Sequence, residues 1–137
     1  MKKKIIIIGG HGVGMIAALI AEKYYNFQII GFLNDSLKGN IGKRKYKIIG
    51  KLNKIHEFLK QKDLFFFNAV LDYKKKIKNK NFKLKLPRKK LISLIHPSSQ
   101  YFNDSVSIGK NVLISSGVNI STDVDIELKP PVTLSAK

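Results

Sequence analysis

The chain contains no cysteine. That excludes disulfides and thiolate metal sites, and it is compatible with a reducing compartment. Histidine is scarce too: His11, His56 and His96 are scattered and offer no metal-ligand spacing. No apolar run approaches the ~20 residues of a membrane span. The lysines near the N-terminus precede an apolar run too short for a signal peptide, with no small-residue cleavage site. The expectation is a cytoplasmic chain with no metal and no membrane insertion. Acidic residues are also few, 9 against 26 Lys and Arg, for a net charge of +17. Such a balance steers a protein toward polyanions or acidic membrane surfaces. The lysines form no tight block, however, and no RNA- or DNA-binding motif accompanies them. Stacking aromatics interleaved with basic residues are absent apart from Phe82. A Lys-, Asn- and Ile-rich coding bias spread over solvated faces accounts for the charge. A basic, non-specific nucleic-acid binder is an alternative reading, and no specific nucleic acid is expected.

What is present begins with Ile5-Ile6-Ile7-Ile8-Gly9-Gly10-His11-Gly12-Val13-Gly14-Met15-Ile16. Four consecutive β-branched residues predict a strand buried on both faces. Glycines follow at once, and a helical pattern begins near Val13. A strand running through a Gly-rich turn into a helix leaves backbone N–H donors at the helix N-terminus, where the helix dipole adds to their attraction for a diphosphate. Glycine suits the turn because a Cβ would hold the ligand off the backbone and disfavour positive φ. Gly12 to Ala17 also fits G-x-G-x-x-A, so an NAD-type dinucleotide-binding domain is a second reading.

At 137 residues the chain is one domain, or one small domain plus part of another. Met15 to Tyr25 is apolar nearly all round and suits a helix packed on a sheet. Gln28 to Leu33 reads as a second buried strand ending in Asn34-Asp35-Ser36. A carboxylate there lies where dinucleotide folds hold a ribose; turn capping by the Asx side chains explains the same residues. A polar loop over Leu37 to Lys45 precedes a short strand over Tyr46 to Ile49, with Gly50 as its stop. Asn53 is a candidate N-cap for a helix reaching Gln61, with His56 on its surface. Leu64 to Leu71 reads as a buried strand followed by Asp72, and Tyr73 to Lys80 as a lysine-rich helix anchored by Ile77. Phe82, Leu84 and Leu86 alternate with lysines until Pro87, as an edge strand or linker would. Leu91 to Ile95 is a last strand. Alternating strands and helices imply a parallel sheet with right-handed crossovers.

After His96 the pattern changes. Val106, Val112, Val118 and Val124 recur every six residues, and Ile108, Ile114, Ile120 and Ile126 do so two places later. Neither a helix nor a hairpin predicts that spacing, whereas a hexapeptide β-helix does. A coil takes three hexapeptides, roughly 18 residues, so His96 to Ile126 supplies less than two coils. Pro130 and Pro131 stand where the next coil would continue.

The Gly-Gly-His-Gly loop, the Gly31-Phe32-Leu33-Asn34-Asp35 segment and Ile95-His96-Pro97-Ser98 leading into hexapeptides resemble the PglD/NeuD-like sugar acetyltransferases. The resemblance implies α/β architecture, a Rossmann-like parallel-sheet domain over residues 1–95. After it comes the incomplete start of a left-handed parallel β-helix over 96–126, with an irregular tail over 127–137. It also implies a UDP-linked amino sugar or a sialic acid as acceptor in surface-glycan biosynthesis, acetyl-CoA as co-substrate, and a homotrimer for the full-length family. Gly9, Gly10, His11 and Gly12 would lie against the diphosphate or sugar, and Asn34 and Asp35 would approach the nucleotide. Leu71 and Asp72 fall where the family carries Gly-Asp or Gly-Asn after the third main strand. The family's general base is a histidine within the β-helix, and none of the three histidines lies there. His96, extended before Pro97, reads as structural. No catalytic residue is therefore assigned. The expectation is a sugar-nucleotide-binding domain whose acetyl-CoA site and base are missing, from a truncated chain or one completed by another polypeptide.

Overall fold

A computed structural model describes residues 2–9, 12–36, 39–43, 45–70, 86–126 and 132–134. Its centre is strand β1 (Lys4–Ile8), whose four isoleucines are all fully buried. Side chains alternate across a strand. Ile5 and Ile7 accordingly face one core, with Ala17, Ala18 and Ala21 of helix α1 (Val13–Tyr24). Ile6 and Ile8 face a second core, with Leu52 and Ile55 of a short 3-10 helix (Leu52–Glu57) and Leu91. Both faces are covered, which is why the strand reads as an unbroken apolar run rather than an alternating one.

Around β1 lie β2 (Gln28–Leu33), the two-residue β3 (Asn40–Ile41), β4 (Tyr46–Gly50) and β5 (Leu64–Asn68). The sheet order is β3-β4-β2-β1-β5, with β4, β2, β1 and β5 parallel and β3 antiparallel on the edge. Among the parallel strands this is the Rossmann-like order, in which the chain steps outward through β2 and β4 and then returns to the other side of β1. Gly31 lets β2 and β4 approach. A Cβ there would stand 2.6 Å from the Ile49 side chain and 2.9 Å from the Lys47 carbonyl oxygen.

Several expected elements differ. Asn53 is not a cap: the helical segment is 3-10, starts at Leu52 and has Lys51 at its N-cap position. Leu91 to Ile95 is not one strand. Leu91 bridges Phe66 of β5, whereas β6 (Leu94–Ile95) leaves the sheet and pairs with the hexapeptide region. The polar loop contains β3, and β5 ends at Asn68. The expected helix over Tyr73 to Lys80 and the alternating segment up to Leu84 lie outside the described residues.

The hexapeptide region forms a three-sided parallel coil. On one side β6, β8 (Val112–Ile114) and β10 (Val132–Leu134) stack in parallel, with Ile95 opposite Ile114 and Ile114 opposite Leu134. On a second side β7 (Val106–Ile108) pairs with β9 (Val124–Ile126), and on the third Gln100 bridges Asn119. Val112, Ile114, Val118 and Ile126 are buried inside, with Ile95, Ile108, Ile120, Val124 and Leu134 against them. Corners come at regular intervals: Asn111, Gly117 and Asp123 all have positive φ and each immediately precedes a valine of the repeat. Asn, Gly and Asp are the residues that enter the left-handed region at least cost. Past the two prolines the chain is not wholly irregular, because β10 adds a further strand to the coil.

The coil does not stand apart from the sheet. Leu94 and Leu113, both fully buried, belong to the same core as Ile5, Ile7 and the alanines of α1. The Ile95 N–H donates to the Tyr25 hydroxyl at 2.9 Å, and the Tyr24 and His96 rings meet edge to face with centroids 4.7 Å apart.

Candidate functional site

The C-terminal ends of β1 and β5 border the point where the chain reverses its direction of winding. In open α/β sheets, ligands settle in the crevice beyond the strand ends at such a point. Gly9 leaves β1 with φ 116°, and a Cβ on it would meet the Ala69 carbonyl carbon at 3.3 Å. A side chain here would be both strained and crowded. The Gly9 N–H donates to the Leu33 carbonyl at 2.9 Å, and the Ala69 N–H to the Ile8 carbonyl at 2.8 Å. These bonds hold the turn between its neighbours.

Gly12 is the N-cap of α1, with φ 73° and ψ −112°. Among the described residues no side chain caps that helix terminus, no acidic residue lies in its first turn, and a Cβ on Gly12 would have nothing within 4 Å. Among the described residues the positive end of the helix carries no side-chain cap, and such a helix terminus attracts anions. Gly14, the second residue of the helix, has a different task. A Cβ on it would lie 3.2 Å from the Phe32 ring and 3.3 Å from Ile7, so its role is close packing of helix on sheet.

Asn34 and Asp35 both shape this region. Asn34 Nδ2 donates to the Gly9 carbonyl at 3.0 Å, while its Oδ1 accepts the Ser36 N–H at 2.8 Å. One side chain therefore caps its own turn and ties the end of β2 to the glycine turn after β1. Asp35 Oδ1 accepts the Leu52 N–H at 2.9 Å, at the start of the 3-10 helix. The turn-capping account of this segment and its place beside the crevice are compatible. Gly10, His11, Leu71 and Asp72 lie outside the described residues.

Two residues that the sequence did not single out complete the wall on the β5 side. Asn68 Oδ1 accepts the Val70 N–H at 3.0 Å. Asn111, from the coil and fully buried, accepts the Asn68 N–H through Oδ1 at 2.7 Å and donates from Nδ2 to the Asn68 carbonyl at 2.9 Å. An Asn immediately before a repeat valine was the available signal. It marks a corner, but nothing in the spacing says which strand the side chain reaches.

Two histidines, His56 and His96, lie among the described residues. His56 is exposed on the 3-10 helix. His96 Nδ1 receives the Ser98 N–H at 3.0 Å and lies 2.8 Å from Ser98 Oγ, which itself accepts the Gly117 N–H at 2.9 Å. The Ser98 backbone N–H can only donate, so Nδ1 is an acceptor, the Ser98 hydroxyl donates to it as well, and the neutral ring tautomer carries its proton on Nε2. His96 lines a cavity of about 540 Å³ with Tyr25, Gln100, Tyr101 and Asn103. Across α1, Glu22 accepts from both Lys45 (2.5 Å) and the Tyr46 hydroxyl (3.1 Å). Hydrogen bonding to Lys45 draws the Glu22 carboxyl below its usual range, and the same contact raises Lys45. Burial, then the Glu22 contact, pushes the Tyr46 hydroxyl up. Among the described residues no helix is long and apolar enough to cross a membrane.

Comparison with known proteins gives a consistent result. Residues 4–78 match the sequence profile of the PglD N-terminal domain. The solved acetyltransferase domain of PglB from Neisseria gonorrhoeae FA1090 shares the fold at a TM-score of 0.67 and 18% identity, over 92% of this chain and 68% of that one. The same domain in complex with acetyl coenzyme A gives a TM-score of 0.60 at 20% identity, over 93% of this chain and 65% of that one. The chain thus spans about two thirds of the length of these structures. No protein of curated function matches it in sequence. With a profile match over more than half its length and a shared fold across sheet and coil, the chain belongs to the PglD N-terminal domain family.

Proposed function

We propose that this chain binds the nucleotide-linked sugar of an acetyl-CoA-dependent sugar acetyltransferase acting in surface-glycan biosynthesis. The acceptor class is a UDP-linked amino sugar or a sialic acid. The single observation that carries this reading is the N-terminus of α1, without a side-chain cap among the described residues, three positions after Gly9 at the β1/β5 switch point. Backbone donors there meet the diphosphate, with Gly9 and Gly12 leaving room for it, and the ligand contacts proposed for Gly10 and His11 rest on their place in the sequence between those two glycines. Asn34 and Asp35, just past the end of β2, hold the floor on the nucleotide side, and Leu71 and Asp72 are proposed as ligand contacts from the family resemblance of the sequence alone. Residues 1–95 form the binding unit and 96–126 the start of a left-handed hexapeptide helix.

Acetyl-CoA is the acyl donor in this reading, and it is the molecule present in one of the similar structures. No residue of this chain is assigned to hold it or to remove the acceptor's proton. Within the coil, residues 97–126 include no histidine, and His96 Nδ1 is occupied by Ser98. A bound ligand stabilises the fold that binds it, by roughly 2.7 kcal/mol at a hundred times its Kd. Titration with UDP-N-acetylglucosamine, CMP-sialic acid, sialic acid and NAD, read by melting temperature, tests the assignment. The expected result is a rise with a sugar ligand and none with NAD; a rise with NAD alone would replace it with the dinucleotide reading. Incubated with acetyl-CoA and a UDP-amino-sugar, the polypeptide by itself is expected to show no acetyl transfer, and turnover would refute the absence of a base.

A further inference from the structure

Strand β5 is the edge of the main sheet, and its outer side needs partners. Near Phe66 they come from the following chain: the Ile92 N–H donates to the Phe66 carbonyl at 3.2 Å, beside the Leu91 bridge. Two residues later, at Asn68, the edge is completed by a side chain instead. The Asn111 carboxamide accepts the Asn68 N–H and donates to the Asn68 carbonyl, matching one peptide group as a neighbouring strand would. Asn111 is fully buried and Asn68 partly so, which shields the pair in large part from water. Its backbone is held at φ 58° as a coil corner. Asn68 is the register partner of Ile8, and the next residue, Ala69, bonds the Ile8 carbonyl and abuts Gly9.

We infer that Asn111 is a positioning residue for the crevice. From a corner of the coil it fixes Asn68, and through Asn68 the Ala69–Val70 wall against Gly9, so the coil sets the width of the anion pocket. This rests on the proposed site for its ligand consequence, but the ordering of the wall stands on geometry alone. A positioning residue on the coil, 43 positions from Asn68, would then influence the affinity of the sheet's crevice without touching the ligand.

The test uses the full chain. Asn111→Gly keeps the left-handed corner and removes both hydrogen bonds. The control is Ile126→Val together with Ile126→Ala, inside the coil and away from the crevice, which bracket the loss in melting temperature. Two readouts are taken: amide hydrogen exchange at Asn68, Ala69 and Val70, and the Kd for UDP-N-acetylglucosamine. Losing both hydrogen bonds should raise exchange at those three amides, and the Kd, roughly tenfold or more. The Ile126 controls should leave both near wild type. Unchanged protection at Ala69 and Val70 in Asn111→Gly would overturn the inference, as would lost protection with unaltered Kd. If the wild-type chain binds no sugar nucleotide, the proposed function fails while the exchange data still decide the clamp. Should Asn111→Gly fail to fold, Asn111→Asp, which keeps the corner and the acceptor but not the donor, is read in the same way.

Discussion

Leu113 offers the sharpest test of how the molecule is joined. It lies on coil strand β8, is fully buried, and packs in one core with Leu94, Ile5, Ile7 and the alanines of α1. Replacing it by Ala removes side-chain carbons from a site walled by a helix and a sheet, where collapse into the space is restricted. Leu→Ala substitutions in such cores cost about 2–5 kcal/mol, the upper part of that range applying where the cavity persists. For a chain of this size, roughly 3–4 kcal/mol is a large fraction of the typical 5–15 kcal/mol total. It corresponds to a fall in melting temperature on the order of 10 °C or more. The assay is calorimetry with urea unfolding on wild type and Leu113→Ala. One transition is expected in both proteins, with a lower midpoint and an unchanged denaturant slope in the variant. Two separate transitions in the wild type, or a loss below about 1 kcal/mol, would refute the shared core and restore two independently stable units.

Gly31→Ala drives a methyl into Ile49 and the Lys47 carbonyl, so we expect a loss of about 1–3 kcal/mol by urea unfolding despite the smallness of the change. Gly12→Ala costs about 1–2 kcal/mol of backbone strain and places a methyl before the helix terminus. Its sugar-nucleotide affinity should fall while the packing of Gly14 stays intact, readable as a Kd change by calorimetric titration. The Glu22 carboxyl titrates below its usual 4.5, chiefly through Lys45. Its contribution is therefore present above pH 4.5 and lost as pH falls through the lowered folded value. Both groups are partly exposed, so the effect is small and fades with salt. Glu22→Gln should flatten the acid limb of a stability–pH curve at low salt, and an identical curve would remove the ion pair from the account. Tyr25→Phe deletes the acceptor of the Ile95 N–H and is expected to cost about 0.5–1.5 kcal/mol without altering the crevice.

Much of this was legible in the residues. Ile5–Ile8 announces a strand covered on both faces, and the glycines after it announce a turn into a helix. The six-residue Val/Ile register announces a coil, because only a stacked corner-and-strand repeat uses that spacing. All three are local or periodic signals, set by which side chain can occupy which face. The assignment of Leu91–Ile95 to the sheet failed for a reason periodicity cannot supply. A short apolar run is suited to either sheet, and the partner was chosen by where Leu113 and α1 could bury Leu94. β10 was missed likewise, since two prolines end a pattern but do not prevent a strand from rejoining the ladder a few residues later.

The sequence by itself determined the first buried strand, the helix that follows its glycines, the hexapeptide coil and the order of the two halves. The tertiary structure alone decided that sheet and coil share a core and that Asn34 spends its amide on Gly9. It alone decided, too, that a coil asparagine completes the edge of β5. The physical reason is range. Strand and coil patterns are written in neighbours a few positions apart, whereas a buried carboxamide finds its partner by three-dimensional proximity, and 43 residues of chain carry no trace of that pairing.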